Sequence, residues 1–452
     1  MRAFQSRNPF TQQVLKHFDF ASDRQAEAVL VRSAAAFQTW SHSSVPERTL
    51  KLERLGELVN RHKDDLARQI TTEMGKPIVE AAVEVWKCVD CCLYYSQQAA
   101  ELLAPLDFPL IGYNKVQVQF EPLGPLLLVM PFNFPLWMTF KTSVPHLLAG
   151  NTVILKPAEN TPGCAEALTA IAREAGLGDV FQHALLSVEQ VHRTIEHPLL
   201  RGVSLTGSVR AGKAVAATAG RCLKKCVLEL GGSDPFLVLS DADVGKAAKA
   251  AAAARLAVSG QVCIAPKRFI VMDSVATQFT EALLAELRGV EVSDPMEAAC
   301  KLGPLAREDL VETLAVQLQD AQAQGAQVLL GGSWQGCNFQ PTVLTQVTHT
   351  MRVMREETFG PLFPICRVSS EAEAIAVANA SDYGLGAVVF CQENRADSIA
   401  RQLEVGMVFI NGMVKSLVPV PFGGTKGSGI GRELGVLGIR EFTNAKTVAK
   451  VT

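Results

Sequence analysis

The stretch Lys225-Cys226-Val227-Leu228-Glu229-Leu230-Gly231-Gly232-Ser233-Asp234-Pro235-Phe236-Leu237-Val238-Leu239 sets two apolar runs on either side of a glycine pair. Short apolar runs bounded by glycine and proline read as buried strands. Each run also belongs to a longer series. Upstream, the strand-like Thr152 to Leu155, a helical pattern from Cys164 to Ala175, the strand-like Val203 to Leu205 and a helical pattern from Gly212 to Ala219 lead into 225–230. Downstream, Phe236 to Leu239 is followed by an Ala-rich helical segment at 242–258, the run Arg268 to Val271, a helical segment at 275–288 and further units to about Ile410. Strands alternating with helices argue parallel sheets covered on both faces, an architecture that binds nucleotides beyond the C-terminal ends of its strands. The fold class is α/β with two lobes.

Farther out, Ser22 to Ala100 is rich in Ala, Leu, Glu and Arg, with Leu50, Leu52, Leu55, Leu58 and Val59 at helical spacing. Val116, Val118 and Phe120 alternate with polar residues as in a two-sided ribbon, and Leu126 to Val129 forms a buried run. The tail from Lys426 is turn-rich through Glu433 and ends in the alternating run Thr447 to Val451, a terminal strand that needs a partner. A chain of 452 residues exceeds one hydrophobic core. Its net charge of −2 gives no electrostatic reason to expect nucleic acid or an anionic membrane as partner, so a small-molecule substrate is expected. There is no apolar run of signal-peptide length before Asp19 and no window of membrane-spanning length, which predicts a cytoplasmic protein. Eleven cysteines without a regular framework suit reduced thiols. Cys88 and Cys91 form a Cys-x-x-Cys, but no second pair follows at zinc spacing, so no metal is expected.

Glu229 and Cys263 lie 34 positions apart, each close to glycine. A cysteine and a carboxylate that ligands can approach across thin backbone are the parts a covalent thioester mechanism needs. Taken alone, a cysteine in Gly260-Gln261-Val262-Cys263 is more often a small buried hydrophobe, and Asn133 between two prolines is good turn chemistry. Gly207 to Gly212 follows a strand and opens a helix, where backbone N–H groups can meet a pyrophosphate, though the spacing by itself is that of many ordinary turns.

Five motifs occur in order: Pro131-Phe132-Asn133-Phe134-Pro135, Leu228-Glu229-Leu230-Gly231-Gly232, Gly260-Gln261-Val262-Cys263, Glu356-Glu357-Thr358-Phe359-Gly360-Pro361 and Pro421-Phe422-Gly423-Gly424. Together they resemble the aldehyde dehydrogenase superfamily from about Asp23 onward, and the runs around 205–212 and 224–236 are similar to bacterial NAD-using succinate-semialdehyde dehydrogenases. The resemblance implies two Rossmann-like lobes, an NAD-binding one over 1–111 and 123–229 and a catalytic one over 230–426. It also implies a small β oligomerisation flap from 112–122 and 427–452, within a homodimer or homotetramer. It makes Cys263 the nucleophile that passes through a thiohemiacetal and a thioester, Glu229 the base that activates the hydrolytic water, and Asn133 a donor to the oxyanion.

For the cofactor the resemblance points to Lys156-Pro157-Ala158-Glu159 at the adenosine ribose, Gly207 and Ser208 at the pyrophosphate, and Phe132, Leu230, Glu357 and Phe359 along the nicotinamide half. Phe132 stands where the family usually carries tryptophan. A carboxylate at 159 welcomes a ribose 2′-hydroxyl and repels a 2′-phosphate, so NAD is expected and NADP, while still open, is disfavoured. For the substrate, the succinate-semialdehyde enzymes use arginines where this chain has Lys141 and Ala257. Lysine offers a point charge in place of a bidentate fork. Lys141, or Lys415 with Ser416, is then expected to meet the distal carboxylate in a funnel walled by Trp137, Phe134 and Phe422. The expected reaction is succinate semialdehyde to succinate. Alternatives are a longer semialdehyde or an uncharged aliphatic aldehyde, acyl transfer to coenzyme A, a cysteine hydrolase with a histidine base, and a catalytically retired homologue.

Overall fold

The computed structural model describes residues 4–451; Met1 to Ala3, part of the N-terminal stretch read above, and Thr452 lie outside them. Five parallel strands form the first sheet: β1 (Pro125–Val129), β2 (Thr152–Lys156), β3 (Phe181–His183), β4 (Gly202–Thr206) and β5 (Lys225–Glu229), in the order 3-2-1-4-5. Seven strands form the second: β6 (Asp234–Val238), β7 (Pro266–Met272), β8 (Gln327–Leu330), β9 (Thr342–Thr345), β10 (Leu362–Val368), β11 (Gly386–Phe390) and β12 (Met407–Ile410), in the order 8-9-10-7-6-11-12. All its pairs are parallel except β8 with β9. Only Leu230 to Ser233 separates β5 from β6, so the chain steps from one sheet to the other across the glycine pair.

Both sheets are buried on both faces, which is why their strands read as unbroken apolar runs. Phe236 and Val238 of β6 pack into one core with Phe269, Val271 and Phe279, while Leu237 and Leu239 face another with Ile270, Leu344 and Val389. In the first sheet Leu128, Val153 and Leu155 face a core shared with the long helix α1 (Ile78–Leu102), and Leu127, Ile154 and Val203 face the opposite side. The helices Asp23–Trp40 and Val45–Arg61 start at capping boxes, Ser22 with Gln25 and Ser44 with Glu47, each satisfying two otherwise orphaned donors.

Several short antiparallel pairings lie outside the alternating pattern, three of them as follows. An antiparallel hairpin, Phe4–Arg7 with Val14–Phe18, packs beside the turn after β2 through Gln5 N–H to the Glu159 carbonyl at 3.2 Å. The C-terminal strand Thr443–Val451 pairs antiparallel with Tyr113–Pro122, which also pairs with Leu106–Asp107. Gly429–Ile430, read above with the terminal flap, instead pairs antiparallel with β5, with Gly429 opposite Glu229. Among the described residues no helix is long and apolar enough to cross a membrane.

Candidate active site

The C-terminal ends of β1, β4 and β5 open onto one cavity of about 420 Å³. From β1 come Phe132 and Asn133, from β4 Thr206, Gly207 and Ser208, and from β5 Glu229, Leu230 and Gly231. The second lobe closes it with Cys263, Glu357 and Phe359, and with Arg307 and Leu310 at the start of the helix α4 (Glu308–Ala323), the labels α2 and α3 belonging to Trp137–Leu148 and Val209–Arg221. This is the nucleotide-binding edge of a doubly wound sheet, beside the point where strand order reverses between β1 and β4. Its lining suits the pyrophosphate and nicotinamide part of a dinucleotide. Gly207 donates its N–H to the Glu229 carbonyl at 3.0 Å, Ser208 caps α3 through Ala211 N–H at 3.3 Å, and the Thr206 hydroxyl is buried without a partner. A side chain at Gly231 would collide with the Glu357 carboxylate, so the wall there is bare backbone.

A second cavity of about 550 Å³ is lined mainly by apolar groups, among them Phe134, Trp137, Val262, Val418 and Phe422, with Lys87, Asp90, Lys415 and Ser416 as polar members. Cys263 and Met138 line both cavities. The thiol therefore sits where the two spaces meet.

The Cys263 loop is held in an unusual conformation. Val258, Ser259 and Gly260 all have positive φ, at 50°, 55° and 75°, a region costly for a β-branched residue. Contacts from several elements impose it: Glu80 of α1 accepts from Val258 N–H at 2.7 Å, Ser259 Oγ donates to Gly303 O at 2.8 Å, and Gln261 Oε1 accepts from Ala306 N–H at 2.9 Å. Gly260 lies so close to the Gly360 carbonyl that no Cβ fits. Lys267 donates to the carbonyls of Val262 (2.8 Å) and Cys263. Asn133 Nδ2 donates to Gln261 O at 2.8 Å, which leaves its second N–H free at the cavity wall.

Burial pushes the Cys263 thiol up to about 11, against the pull of Lys141 and Lys267. Glu229 is 3% exposed and both its carboxyl oxygens lack a hydrogen-bond partner. Burial, and then the neighbouring Glu433, hold its pKa well above the usual carboxylate range; Lys141 and Arg432 oppose them. Gly423 leaves room for this carboxyl, since a Cβ there would stand 2.7 Å from Glu229 Oε1. Glu357 accepts from Gly232 N–H at 3.1 Å and lies 3.6 Å from the Lys267 ammonium. The Phe132 ring meets Phe359 edge-on at 6.2 Å and carries the Arg307 guanidinium over its face at 4.8 Å.

Cys263, Glu229, Asn133, Phe132, Gly207, Ser208, Leu230, Glu357 and Phe359 are thus gathered at one cavity, and Trp137, Lys415, Ser416 and Phe422 at the other. Lys156 ends β2, Pro157, Ala158 and Glu159 follow it, and none of the four lines either cavity. Lys156 is buried with its ammonium 5.3 Å from the Phe4 ring, and Glu159 is exposed. Lys141 does not line the funnel. It is 1% exposed, 2.5 Å from Glu433, and 4.7 Å from the centre of the Phe422 ring. Burial works against its charge, but Glu433 first, then Glu229 and Cys263, more than offset this and its pKa is raised. Glu433 also accepts from Thr142 Oγ1 at 2.6 Å. The sequence reading missed Glu433, Lys87, Lys267 and Arg307. Glu433 stands in a turn-rich tail and Lys87 inside a regular helix, and neither pattern signals a site.

The buried Lys141–Glu433 pair yields a stability prediction. Glu433→Gln leaves an ammonium buried without its counterion and should cost about 3–5 kcal/mol. The double change Lys141→Met with Glu433→Leu, which removes both charges, should recover most of that loss in urea denaturation. Equal losses in the single and double variants would mean that packing, not charge, is what the pair contributes.

A sequence profile of the aldehyde dehydrogenase family matches residues 1–448. A succinate-semialdehyde dehydrogenase (NADP+) of Deinococcus radiodurans is 42% identical over 452 residues, covering 99% of this chain and 94% of its own. A succinate semialdehyde dehydrogenase (NAD(P)+) of Escherichia coli K12 is 41% identical over 448 residues, covering 98% and 97%. The crystal structure of succinic semialdehyde dehydrogenase from Streptococcus pyogenes with NADP+ superposes with a TM-score of 0.97 at 35% identity, covering all of both chains.

Proposed function

The chain belongs to the aldehyde dehydrogenase family, and on that premise we propose that it oxidises succinate semialdehyde to succinate with NAD as the preferred acceptor. That it is an NAD(P)-dependent aldehyde dehydrogenase follows from the family and its relatives; the substrate and the preference for NAD are the proposal. The observation that carries it is the position of Cys263 on the wall common to both cavities, one shaped for a dinucleotide and one for a small, largely apolar chain.

In this reading the aldehyde enters the apolar funnel and the Cys263 sulfur, as thiolate, bonds to its carbonyl carbon. The carbonyl oxygen becomes an alkoxide that accepts the free N–H of Asn133. When bound, the dinucleotide supplies the hydride acceptor that converts this Cys263 adduct into a thioester. Glu229, deprotonated, removes a proton from the water that attacks the thioester carbon, and the carbon–sulfur bond breaks to release carboxylate and thiol. Its unpartnered oxygens leave it free for that water. Among the described residues no histidine lines either cavity, which counts against a cysteine hydrolase. The presence of Glu229 counts against a coenzyme A-acylating enzyme.

NAD is favoured because Glu159, exposed after β2, is the carboxylate that the family resemblance assigns to the adenosine ribose, where it would repel a 2′-phosphate. The relatives named above carry NADP+ or NAD(P)+ in their descriptions, which counts against this preference, and Glu159 is what supports it. A second reading, an uncharged aliphatic aldehyde, draws on the commitment of Lys141 to Glu433. The antiparallel flap of 106–107, 113–122 and 443–451 is the surface we assign to another subunit.

One set of steady-state measurements tests the proposal: kcat/KM for succinate semialdehyde, glutarate semialdehyde and pentanal, each with NAD and NADP. Succinate semialdehyde with NAD should be the best pair. A preference for pentanal above about tenfold, some 1.4 kcal/mol, ends the dicarboxylate assignment, and higher kcat/KM with NADP ends the cofactor assignment.

A further inference from the structure

Lys87 lies on α1, which also gives Glu80 to the Cys263 loop and Val83, Trp86 and Asp90 to the funnel, and it lines that funnel together with Cys263. Of the three lysines near this space it is the one with both access and an unmet charge. Lys141 is sealed against Glu433 outside the lining. Lys415 is exposed, so water screens it. Lys87 is half-buried and forms no ion pair among the described residues. Its contacts are neutral: it stands 4.2 Å from the centre of the Trp137 ring and donates to Ser416 Oγ at 2.5 Å. Burial, and then Lys141 as a second cation nearby, pull its pKa down to about 8 against smaller opposing effects of Cys88, Cys91 and Glu84, the last of which is already paired with Lys76.

Ser416 completes the arrangement. Its oxygen accepts from both Lys87 Nζ and Trp137 Nε1 (3.2 Å), so both lone pairs are used and its own O–H is left to donate. Lys87 retains two further N–H donors. Resting on the substrate reading above, which already expects Ser416 at the distal carboxylate of the semialdehyde, we infer that Lys87 is the cation of that clamp, the ammonium and the hydroxyl each donating a charge-assisted hydrogen bond to the carboxylate. Trp137 holds both partners in place, beneath the ammonium and behind the hydroxyl. An incoming carboxylate supplies the missing counterion of Lys87 within a mainly apolar wall, where such a pair is stronger than in water. An uncharged aldehyde of similar length leaves the ammonium unpaired. Lys87 thereby sets specificity without touching the reacting atoms.

The test compares wild type, Lys87→Met, Lys87→Arg and Ser416→Ala on succinate semialdehyde and pentanal, with NADH binding followed by fluorescence as a check on folding. Lys87→Met should raise KM for succinate semialdehyde by about 10- to 150-fold, the range for a hydrogen bond to a charged group. Its kcat should change little, and kcat/KM for pentanal should hold or rise. Lys87→Arg should restore most of the lost affinity, and Ser416→Ala should show a smaller KM effect of the same kind. If wild type prefers succinate semialdehyde and Lys87→Met keeps that preference, the clamp is wrong while the substrate reading stands. An equal loss on both aldehydes makes Lys87 structural and also overturns the clamp. A wild-type preference for pentanal overturns the substrate reading, and the clamp with it.

Discussion

Cys263→Ala lowers aldehyde oxidation by about 10⁴-fold or more and leaves NADH binding, followed by fluorescence, unchanged. The expectation rests on position and chemistry together. An aldehyde holds its hydrogen poorly as hydride until the carbon becomes tetrahedral and carries an oxyanion, and Cys263 is the nucleophilic side chain on the wall shared by the two cavities. Its loop is fixed from outside by Glu80, Gly303, Ala306 and Lys267, so removing the sulfur should not move the loop. The same structure predicts how the thiol titrates in the cofactor-free protein. With burial pushing its pKa up to about 11, the thiolate fraction grows about tenfold per pH unit across the neutral range, and alkylation by iodoacetamide should still be accelerating at pH 9. A plateau near neutral pH would show a thiol activated before cofactor and substrate arrive.

Glu229→Gln slows steady-state turnover by about 10²–10⁴-fold yet preserves a rapid burst of one NADH per active site. The substitution removes the base for hydrolysis but not the sulfur that forms the thioester, so the first half of the reaction runs once and the acyl group stays on Cys263. Mass spectrometry of the quenched protein should find that adduct. In wild type, burial and Glu433 hold the Glu229 pKa well above the ordinary carboxylate range. A base works when deprotonated, so the hydrolytic rate should rise with pH through that elevated pKa, and the Gln variant should lose this limb. Loss of the burst together with turnover would place Glu229 in the first half-reaction and refute its role as the hydrolytic base.

The two series of strands are legible in the sequence because burial on both faces writes each as an apolar run. The segment read as 225–230 is β5 at Lys225–Glu229, and the helix read as Cys164 to Ala175 spans Pro162–Glu174. The N-terminal hairpin carries no such mark, since Val14 and Leu15 are exposed. The return of Gly429–Ile430 onto β5 is equally silent, because a two-residue pairing has no periodicity to read. Cys263, Glu229, Asn133, Phe132, Leu230, Glu357, Phe359 and Phe422 are legible through five motifs that sit at strand ends and tight turns, where local geometry constrains residue type. Lys87 and Glu433 are not, because what distinguishes them is the company their side chains keep across the fold. The same holds for Lys141: sequence position suggests a substrate ligand, and the structure gives its charge to Glu433.

Cys263 stands at the boundary of two chambers whose outer rims differ: Val83, Trp86 and Lys415 on one side, Ser208 and Thr313 on the other. Traffic through such an enzyme has separate doors. On the proposed reading the acid would leave through the apolar funnel and the reduced dinucleotide through the other cavity, so neither molecule would block the other's exit. Release order is then governed by relative affinities rather than by steric queueing, and altering one doorway changes the passage of one molecule alone.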